Sequence, residues 1–252
     1  MQIISIVNKK GGVAKTTTAL ALASGLSKRN FHVLAIDCDA QANFSKASGG
    51  EDDVVGSFDI LTGKENINEA IQELPLYHLI GADKRLSSLE VALNKPGREF
   101  LLKKALAQLH SAYDFCIIDN PPALNVAVAN SLVASNKIII CSSAETFALD
   151  GLMDLSATID DVLQFMNPAL IVDGILITIF NPRTIIGQHL KEQLSKIALV
   201  MNTKVYNTVI RRCNTISVCQ SDRKCIFDYP TTNAALDYGH FIDEFLGGHL
   251  HG

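Results

Sequence analysis

The segment that most constrains the fold lies at residues 10–17 and reads KGGVAKTT. It follows an apolar run at residues 3–7 and precedes a stretch whose apolar residues repeat with helical spacing. A glycine-rich turn between a strand and a helix brings successive backbone N–H groups, and the positive end of the helix dipole, to one anion. The sequence therefore predicts a phosphate-binding loop near the start of an α/β fold.

A second lysine distinguishes this loop from the ordinary pattern GxxxxGK[ST]. Lys9 and Ala14 stand where that pattern has glycine, and Lys10 adds a cation at the front of the loop. The spacing gives Lys15 the usual role of contacting the β- and γ-phosphates of a nucleotide. Ala14 implies a backbone that accepts a Cβ at that position. The additional charge of Lys10 therefore needs its own explanation.

The other loop residues have roles that follow from their chemistry. Gly11 and Gly12 are expected to take positive φ and let the backbone approach phosphate oxygens. The Thr16 hydroxyl is expected to ligate Mg²⁺. The predicted nucleotide contacts of the loop are Lys10, Gly11, Gly12, Val13, Ala14, Lys15, Thr16 and Thr17.

Short apolar runs alternate with longer amphipathic stretches along the chain. The predicted strands cover residues 3–7, 31–36, 76–80, 115–118, 138–141 and 170–177. The predicted helices cover residues 16–29, 85–93, 98–111, 125–134, 148–165, 184–199 and 230–246. This alternation predicts a P-loop NTPase fold with a mostly parallel, twisted sheet and helices on both faces. We expect residues 1–252 to form a single domain, without a helix-turn-helix segment before the first strand.

Composition favours a compact protein and gives no general attraction to nucleic acid. Hydrophobic residues make up 48% of the chain, charged residues 19%, and the net charge is -4. Any contact with DNA must therefore come from a local basic patch. The sequence shows neither a signal peptide nor an apolar run long enough to span a membrane, which predicts a cytoplasmic protein.

The cysteines fit no common metal-ligand spacing and are interpreted as free thiols in a reducing compartment. They are Cys38, Cys116, Cys141, Cys213, Cys219 and Cys225.

Three aspartates follow predicted strands. Asp37 and Asp39 come at the end of the second strand, and Asp119 ends the run FCIID at residues 115–119. The carboxyl edge of an open α/β sheet is where such folds bind ligands, and the phosphate loop lies at the same edge. Of Asp37 and Asp39, one can face the shell of Mg²⁺ while the other orients a water, and Asp119 can hold Mg²⁺ or its water shell as a Walker-B-like carboxylate.

These segments together resemble the ParA/MinD family of deviant-Walker ATPases, and more closely its ParA DNA-partition branch. Residues 37–43 (DCDAQAN) resemble the family's DxDPQxN, and residues 119–122 (DNPP) its DxPP. Residues 176–184 resemble a ParA segment that ends in DxRT, and residues 205–212 resemble the family's final strand and basic turn. The resemblance runs over nearly the whole chain.

The resemblance implies an explanation for Lys10. In this family the front lysine crosses the interface of an ATP-sandwich homodimer and neutralises phosphates bound by the partner subunit. The resemblance makes Lys10, Lys15 and Asp39 the catalytic residues of a weak ATPase that uses ATP and Mg²⁺. It also implies that Asp39 positions the attacking water and that Asp37 and Asp119 support Mg²⁺. Preference for adenine rests on the resemblance, with Asn181 as a candidate base contact.

The resemblance also implies partners. An ATP-bound dimer would bind nonspecific DNA on the bacterial nucleoid, and a ParB-like centromere-binding protein would stimulate hydrolysis. The candidate DNA contacts are Arg183, Arg211, Arg212, Arg223 and Lys224. The chain also departs from the family pattern. Ala40 replaces the usual proline, which predicts a less rigid loop after the Asp pair, and residues 213–220 differ from the family's SEAP stretch, which weakens the case for part of the DNA-contact surface.

Other functions on the same scaffold remain open at this point. A MinD-like membrane ATPase needs a basic amphipathic C-terminal helix, whereas residues 238–246 carry two acids and neither Lys nor Arg. An iron–sulfur reductase subunit needs cluster cysteines, and only Cys141 ends a strand after Asp119. A carboxylate-activating ligase is a further alternative. A ParA-like positioner of cargo other than DNA would use the same ATPase core.

Overall fold

A computed structural model describes residues 1–143, 148–182 and 185–247. These residues form an eight-stranded sheet in the order β3-β4-β2-β5-β1-β6-β7-β8. The strands are β1 Gln2–Val7, β2 Val33–Asp37, β3 Ile71–Glu73, β4 His78–Ile80, β5 Phe115–Asp119, β6 Lys137–Ser143, β7 Ile171–Phe180 and β8 Val205–Arg211. Neighbouring strands are parallel except at the β3 edge, which is antiparallel to β4. The predicted α/β fold with a mostly parallel sheet is confirmed.

Helices cover both faces of the sheet. They are α1 Lys15–Ser27, α2 Asn43–Ser48, α3 Ser57–Thr62, α4 Leu89–Ala92, α5 Leu101–Leu106, α6 Val126–Ala134, α7 Ala148–Phe165, α8 Ile185–Val200, α9 Thr215–Ser221 and α10 Asn233–Gly247. Helices α1, α2, α9 and α10 contribute to the core on one face. Helices α3 to α8 contribute to the cores on the other face.

Alternation along the central strands explains why both faces need cover. Ile4 and Ile6 of β1 belong to the core under α1 and α10, and both are fully buried. Val7 belongs to the opposite core, under α6 and α7. A strand buried on both faces reads as a continuous apolar run, which is why the periodicity located these strands correctly.

The register of the central strands places two of the three aspartates, Asp37 and Asp119. In the parallel pairs Ile6 lies opposite Asp119, and Asp37 lies opposite Asp119 on the other side of β5. The carboxyl ends of β1, β2 and β5 therefore meet at one point, directly beside the loop that leaves β1.

Five short elements were not predicted from the periodicity. They are helices α2, α3 and α9 and strands β3 and β8, which have at most seven residues each, too few for a periodic signal. Strand β8 was expected only from the resemblance of residues 205–212. The helix predicted at residues 85–93 is a 3₁₀ turn, Lys84–Ser88, followed by the short α4. The helix predicted at residues 98–111 is a 3₁₀ turn, Arg98–Phe100, followed by α5.

Helix α10 is part of the core. Its apolar side chains pack against α1 and β8, and Tyr238, Phe241 and Ile242 are fully buried. The two acids of its last turns have partners inside the fold: Asp243 pairs with Arg29, and Glu244 accepts hydrogen bonds from the backbone of β8. Its apolar face is therefore already covered. Across the three described stretches no helix has the length and apolar character to cross a bilayer.

The contact between α1 and α10 depends on a glycine. A Cβ at Gly25 would lie 2.9 Å from Phe227 Cε2 and also clash with Ile242 Cδ1. We expect Gly25→Ala to lower the free energy of unfolding by about 1–3 kcal/mol through overpacking. Urea denaturation of the nucleotide-free protein measures this. Gly239→Ala is the control, since a Cβ there meets nothing within 4 Å; it should stabilise α10 by about 0.5–1 kcal/mol. Equal effects of the two substitutions would contradict the packing argument.

Candidate nucleotide-binding site

The loop after β1 has two residues in the left-handed region. Gly12 has φ 72°, and Ala14, which precedes the first turn of α1, has φ 60° and ψ 29°. The expectation of positive φ is confirmed for Gly12 and is wrong for Gly11, which is not in that region. A Cβ on Gly11 would contact only Pro122 Cβ, at 3.9 Å. Ala14 thus adopts a conformation that favours the glycine of the ordinary pattern.

Two polar side chains, one directly after β1 and one in β7, hold this loop in place. Asn8 Oδ1 accepts the Lys10 N–H at 2.8 Å, and Asn8 Nδ2 donates to the Cys141 carbonyl at 2.5 Å. The Thr178 hydroxyl of β7 donates to the Val13 carbonyl at 3.0 Å. Sequence reasoning missed Asn8 and Thr178. The only available signal was a polar residue at the end of an otherwise apolar strand.

The Lys15 ammonium lies inside the loop. The side chain is nearly buried, with 7% of the residue exposed, and Nζ donates to the Lys10 carbonyl at 3.0 Å. Burial lowers the pKa of Lys15, and the negative charges of Asp119, Cys141 and Asp39 oppose that change. A cation held this way is already desolvated where the spacing expects the β- and γ-phosphates.

Asp37 is a fully buried carboxylate with several donors. Its Oδ1 accepts the Asp39 N–H at 3.0 Å, and its Oδ2 accepts the Ser45 N–H at 3.0 Å and the Ser45 hydroxyl at 2.7 Å. Burial raises the pKa of Asp37, and these hydrogen bonds limit the rise. Asp37 therefore also fixes the backbone that carries Asp39. Asp39 itself is half-buried and lines the cavity in front of the loop.

Asp119 is the exception among the buried carboxylates. It is fully buried, and within the described parts of the chain neither of its oxygens accepts a hydrogen bond. Burial raises its pKa well above the usual value, the Asp37 charge adds to the rise, and the Thr16 hydroxyl and Lys15 oppose it. Thr16 thus lies near Asp119 without hydrogen-bond geometry. A buried carboxylate without a donor costs free energy unless a cation completes its surroundings.

The donor set fits a magnesium ion. Carboxylate and hydroxyl oxygens are the ligands Mg²⁺ takes from proteins, usually one or two of them with phosphate oxygens and waters. Thr16 and Asp119 supply that set beside the loop. Asp37 has its oxygens occupied by protein donors and fits an indirect contact through water.

A cavity of about 510 Å³ opens in front of the loop. Its walls include Asp39, the turn after β8 and six residues of the loop region, which are Gly11, Gly12, Ala14, Lys15, Thr16 and Thr17. This volume falls within the range of about 300–1,000 Å³ that is usual for ligand pockets. The cavity therefore joins a phosphate cradle, the Lys15 cation and the Asp39 carboxylate in one accessible space.

The candidate DNA contacts lie in different places. Arg211 makes a bidentate pair with Asp237, Nη2 to Oδ1 at 2.6 Å, and lines the nucleotide cavity together with Arg212. Arg223 and Lys224 are exposed after α9 and line a separate cavity. Arg183 lies outside the described residues. Asn181, the candidate base contact, is exposed directly after β7.

Comparison with known proteins agrees with this site. An AAA domain family matches residues 1–172. The chain is 36% identical to "Chromosome partitioning protein ParA" of Myxococcus xanthus, over 90% of this chain and 81% of that protein. It is 35% identical to "Sporulation initiation inhibitor protein Soj" of Bacillus subtilis, over 94% of this chain and 95% of that protein. The chain belongs to the ParA family of P-loop ATPases. The predicted resemblance is confirmed.

Among solved structures, cobyrinic acid a,c-diamide synthase from Mycobacterium smegmatis with bound ADP and magnesium is similar over 98% of this chain and 94% of that one. The TM-score is 0.83 at 28% identity. Its bound ADP and magnesium agree with the predicted cofactors of the ParA-family chain, ATP and Mg²⁺. The individual roles predicted for the site residues stay predictions.

Ala14 generates the first prediction for this site. Relief of left-handed strain is worth about 1–2 kcal/mol, and the freedom that glycine gains in the unfolded chain costs about 0.4–1 kcal/mol. We expect Ala14→Gly to raise the free energy of unfolding by about 0.5–1 kcal/mol, measured by urea denaturation without nucleotide. The control is Ala107→Gly, exposed and at φ -68°, which should destabilise. A destabilised Ala14→Gly protein would contradict the strain argument.

The raised pKa of Asp119 leads to a second prediction for this site. Because its pKa is raised in the folded protein, the folded state holds the proton more tightly than the unfolded state, so stability falls as pH rises above the unfolded pKa of about 4. Asp119→Asn removes this loss. We expect the variant to be more stable than the parent without nucleotide, by about 1–3 kcal/mol at pH 7.5, with a smaller difference at pH 5.

Thermal or urea unfolding across pH 5–8 measures this difference. The exposed acid Asp52 provides the control, since Asp52→Asn should leave the pH profile unchanged. Mg²⁺ with ATP should stabilise the parent protein more than ATP with EDTA, and this increment should vanish in Asp119→Asn. A variant less stable than the parent at every pH would show that the carboxylate is satisfied in the folded protein.

Proposed function

We propose that this ParA-family ATPase acts in the partition of plasmid or chromosomal DNA. The observation that carries the proposal is the site at the carboxyl edge of the sheet: a two-lysine loop beside Asp37, Asp39 and Asp119, in a chain that matches ParA and Soj over at least 90% of its length. The proposed location is the bacterial cytoplasm, on the nucleoid.

Each residue of the site has a separate role in the proposed ATP hydrolysis. The loop backbone and Lys15 would bind the β- and γ-phosphates, and the Thr16 hydroxyl and Asp119 would hold Mg²⁺, with Asp37 supporting it indirectly. When bound, Mg²⁺ would supply positive charge to the phosphate oxygens. Asp39, fixed through its backbone by Asp37, orients the attacking water. Hydrolysis by a single subunit would be slow.

Lys10 links nucleotide state to dimerisation. The Lys10 carbonyl accepts a hydrogen bond from the Lys15 ammonium, so Lys10 belongs to the same turn as the phosphate cradle. In the proposed ATP-sandwich homodimer the Lys10 ammonium contacts phosphates in the partner's site. A cation supplied from outside a site stabilises the charge that develops in the transition state, as an arginine finger does.

The rest of the proposed cycle concerns partners. The ATP dimer binds nonspecific DNA through a basic surface, for which Arg183, Arg211, Arg212, Arg223 and Lys224 are the candidates. A ParB-like centromere-binding protein stimulates hydrolysis and releases monomers. A MinD-like role at a membrane receives less support, because the apolar face of α10 is packed in the core. A ParA-like ATPase that positions a cargo other than DNA would go through the same ATPase cycle and differ only in the cargo.

The experiment that tests this proposal measures DNA binding and dimerisation together. We expect nonspecific duplex DNA to bind with ATP and not with ADP or without nucleotide, and to bind more weakly at 200 mM than at 50 mM salt, because phosphate contacts release counterions. Lys10→Ala should lose ATP-dependent dimerisation and DNA binding while retaining ATP binding. Lys9→Ala is the matched control, since Lys9 pairs with Asp154 on α7.

Two results would count against the proposal. Absence of DNA binding in every nucleotide state, with ATP binding intact, would exclude the DNA step. A Lys10→Ala protein that dimerises normally with ATP would exclude the role of Lys10 in the partner's site.

A further inference from the structure

A second cavity lies on the other side of α9 from the nucleotide site. It has a volume of about 340 Å³ and is bounded by α1, α9, the segment before β4 and the 3₁₀ turn Ile226–Asp228. Its lining includes the apolar side chains Leu20, Leu76, Ile216 and Ile226. The volume falls at the low end of ligand cavities, which run from about 300 to 1,000 Å³.

The rim of this cavity carries an excess of positive charge. The lining contains the three cations Lys28, Arg223 and Lys224 and a single acid, Asp228. Lys28 pairs with Asp228 at 3.2 Å. Within the described stretches Arg223 and Lys224 form no ion pair with another side chain. Two cations therefore stay available beside an apolar floor, on a chain whose net charge is negative.

The backbone at Arg223 is strained where glycine would be relaxed. Helix α9 ends with the Lys224 N–H donating to the Cys219 carbonyl at 2.9 Å and the Arg223 N–H to the Gln220 carbonyl at 3.4 Å. This is the Schellman arrangement, whose left-handed position is usually glycine. Arg223 occupies that position with φ 53°. Glycine would remove this strain at position 223. The presence of arginine there therefore indicates that its side chain has a functional role.

Helix α9 forms a wall of both cavities. Thr17 and Ile216 line the nucleotide cavity and the second cavity alike. Gln220 of α9 donates from Nε2 to the Thr17 hydroxyl at 3.3 Å. Thr17 lies in the first turn of α1, next to Thr16. A group that packs against α9 in the second cavity can therefore affect α1, whose first turn forms part of the nucleotide site.

We propose that this second cavity binds a small amphiphilic anion, an apolar chain or ring of about ten carbons bearing a carboxylate, sulfonate or phosphate, whose binding strengthens that of nucleotide. The apolar body lies against Leu20, Leu76 and Ile226, and the anionic group contacts Arg223 and Lys224. The bound anion holds α9 against α1 and keeps the Gln220–Thr17 contact. This proposal rests only on nucleotide binding by the chain. It does not depend on which cargo the ATPase moves.

The first test uses 8-anilinonaphthalene-1-sulfonate as a fluorescent probe and decanoate as its competitor. We expect saturable binding of one probe per chain, displaced by decanoate. Arg223→Gly should weaken probe binding about tenfold, the value of one charge-assisted contact. The same variant should be at least as stable as the parent in urea, because glycine suits the backbone, so lost binding cannot be ascribed to unfolding.

The control for charge is Lys103→Ala, which removes an exposed cation on α5, away from the cavity. It should leave probe affinity unchanged. Equal weakening by Arg223→Gly and Lys103→Ala, or no weakening by Arg223→Gly, would overturn the site.

The second test uses two natural thiols as reporters. Cys225 lines the second cavity and Cys213 lines the nucleotide cavity, and both are half-buried. We expect decanoate to slow alkylation of Cys225 by iodoacetamide and ATP to slow alkylation of Cys213, as read by peptide mass spectrometry. Protection of Cys213 by decanoate, or competition between decanoate and ATP, would place the anion in the nucleotide site and overturn the proposal.

The coupling is measured by titrating ATP with and without saturating decanoate. We expect ATP affinity to rise about fivefold, with an equal rise of decanoate affinity when ATP is present, because such coupling is reciprocal. An unchanged ATP affinity would overturn the coupling. ATP titration alone, in the same series, reports separately whether the nucleotide site itself works.

Discussion

The structure depends most on the concentration of negative charge at the carboxyl ends of β2 and β5. Asp37 and Asp119 lie opposite each other in adjacent strands, and both are fully buried. Donors surround Asp37, whereas Asp119 has none among the described residues. Lys15 is nearly buried and interacts electrostatically with Asp119, and burial lowers its own pKa. The protein without ligand is therefore held in a state that a divalent cation and a polyphosphate would relax.

Ala14 and Arg223 are two of the seven described residues other than glycine that take positive φ. Ala14 enters α1 in the left-handed region directly before Lys15, and Arg223 leaves α9 in the same region. At both positions glycine would adopt the left-handed conformation with less strain. At Ala14 the strain fixes the turn that aims the first N–H groups of α1 into the cavity. At Arg223 it directs a guanidinium to the rim of the second cavity.

The sequence allowed the central strands and the phosphate loop to be predicted because both carry short-range signals. Runs such as residues 115–118 are apolar on both faces, and glycine with lysine at fixed spacing identifies the loop. The same reasoning missed α2 and α9, because their six and seven residues are fewer than the roughly 11 over which helical periodicity is detected. Asn8 and Thr178 were missed for a different reason: their partners, Cys141 and Val13, are distant in sequence, so only the folded sheet brings them together.

Helix α9 shows how a departure from a family pattern can acquire a physical meaning. Residues 213–220 differ from the stretch typical of ParA proteins, which from the sequence alone only weakened the case for a DNA surface there. In the fold the same residues separate two cavities, with Ile216 exposed to both and Gln220 bonded to Thr17 of the phosphate-binding helix. A seven-residue helix has little stability of its own and is held by its contacts. Its position, and with it the geometry around Thr17, therefore depends on what occupies the space on either side.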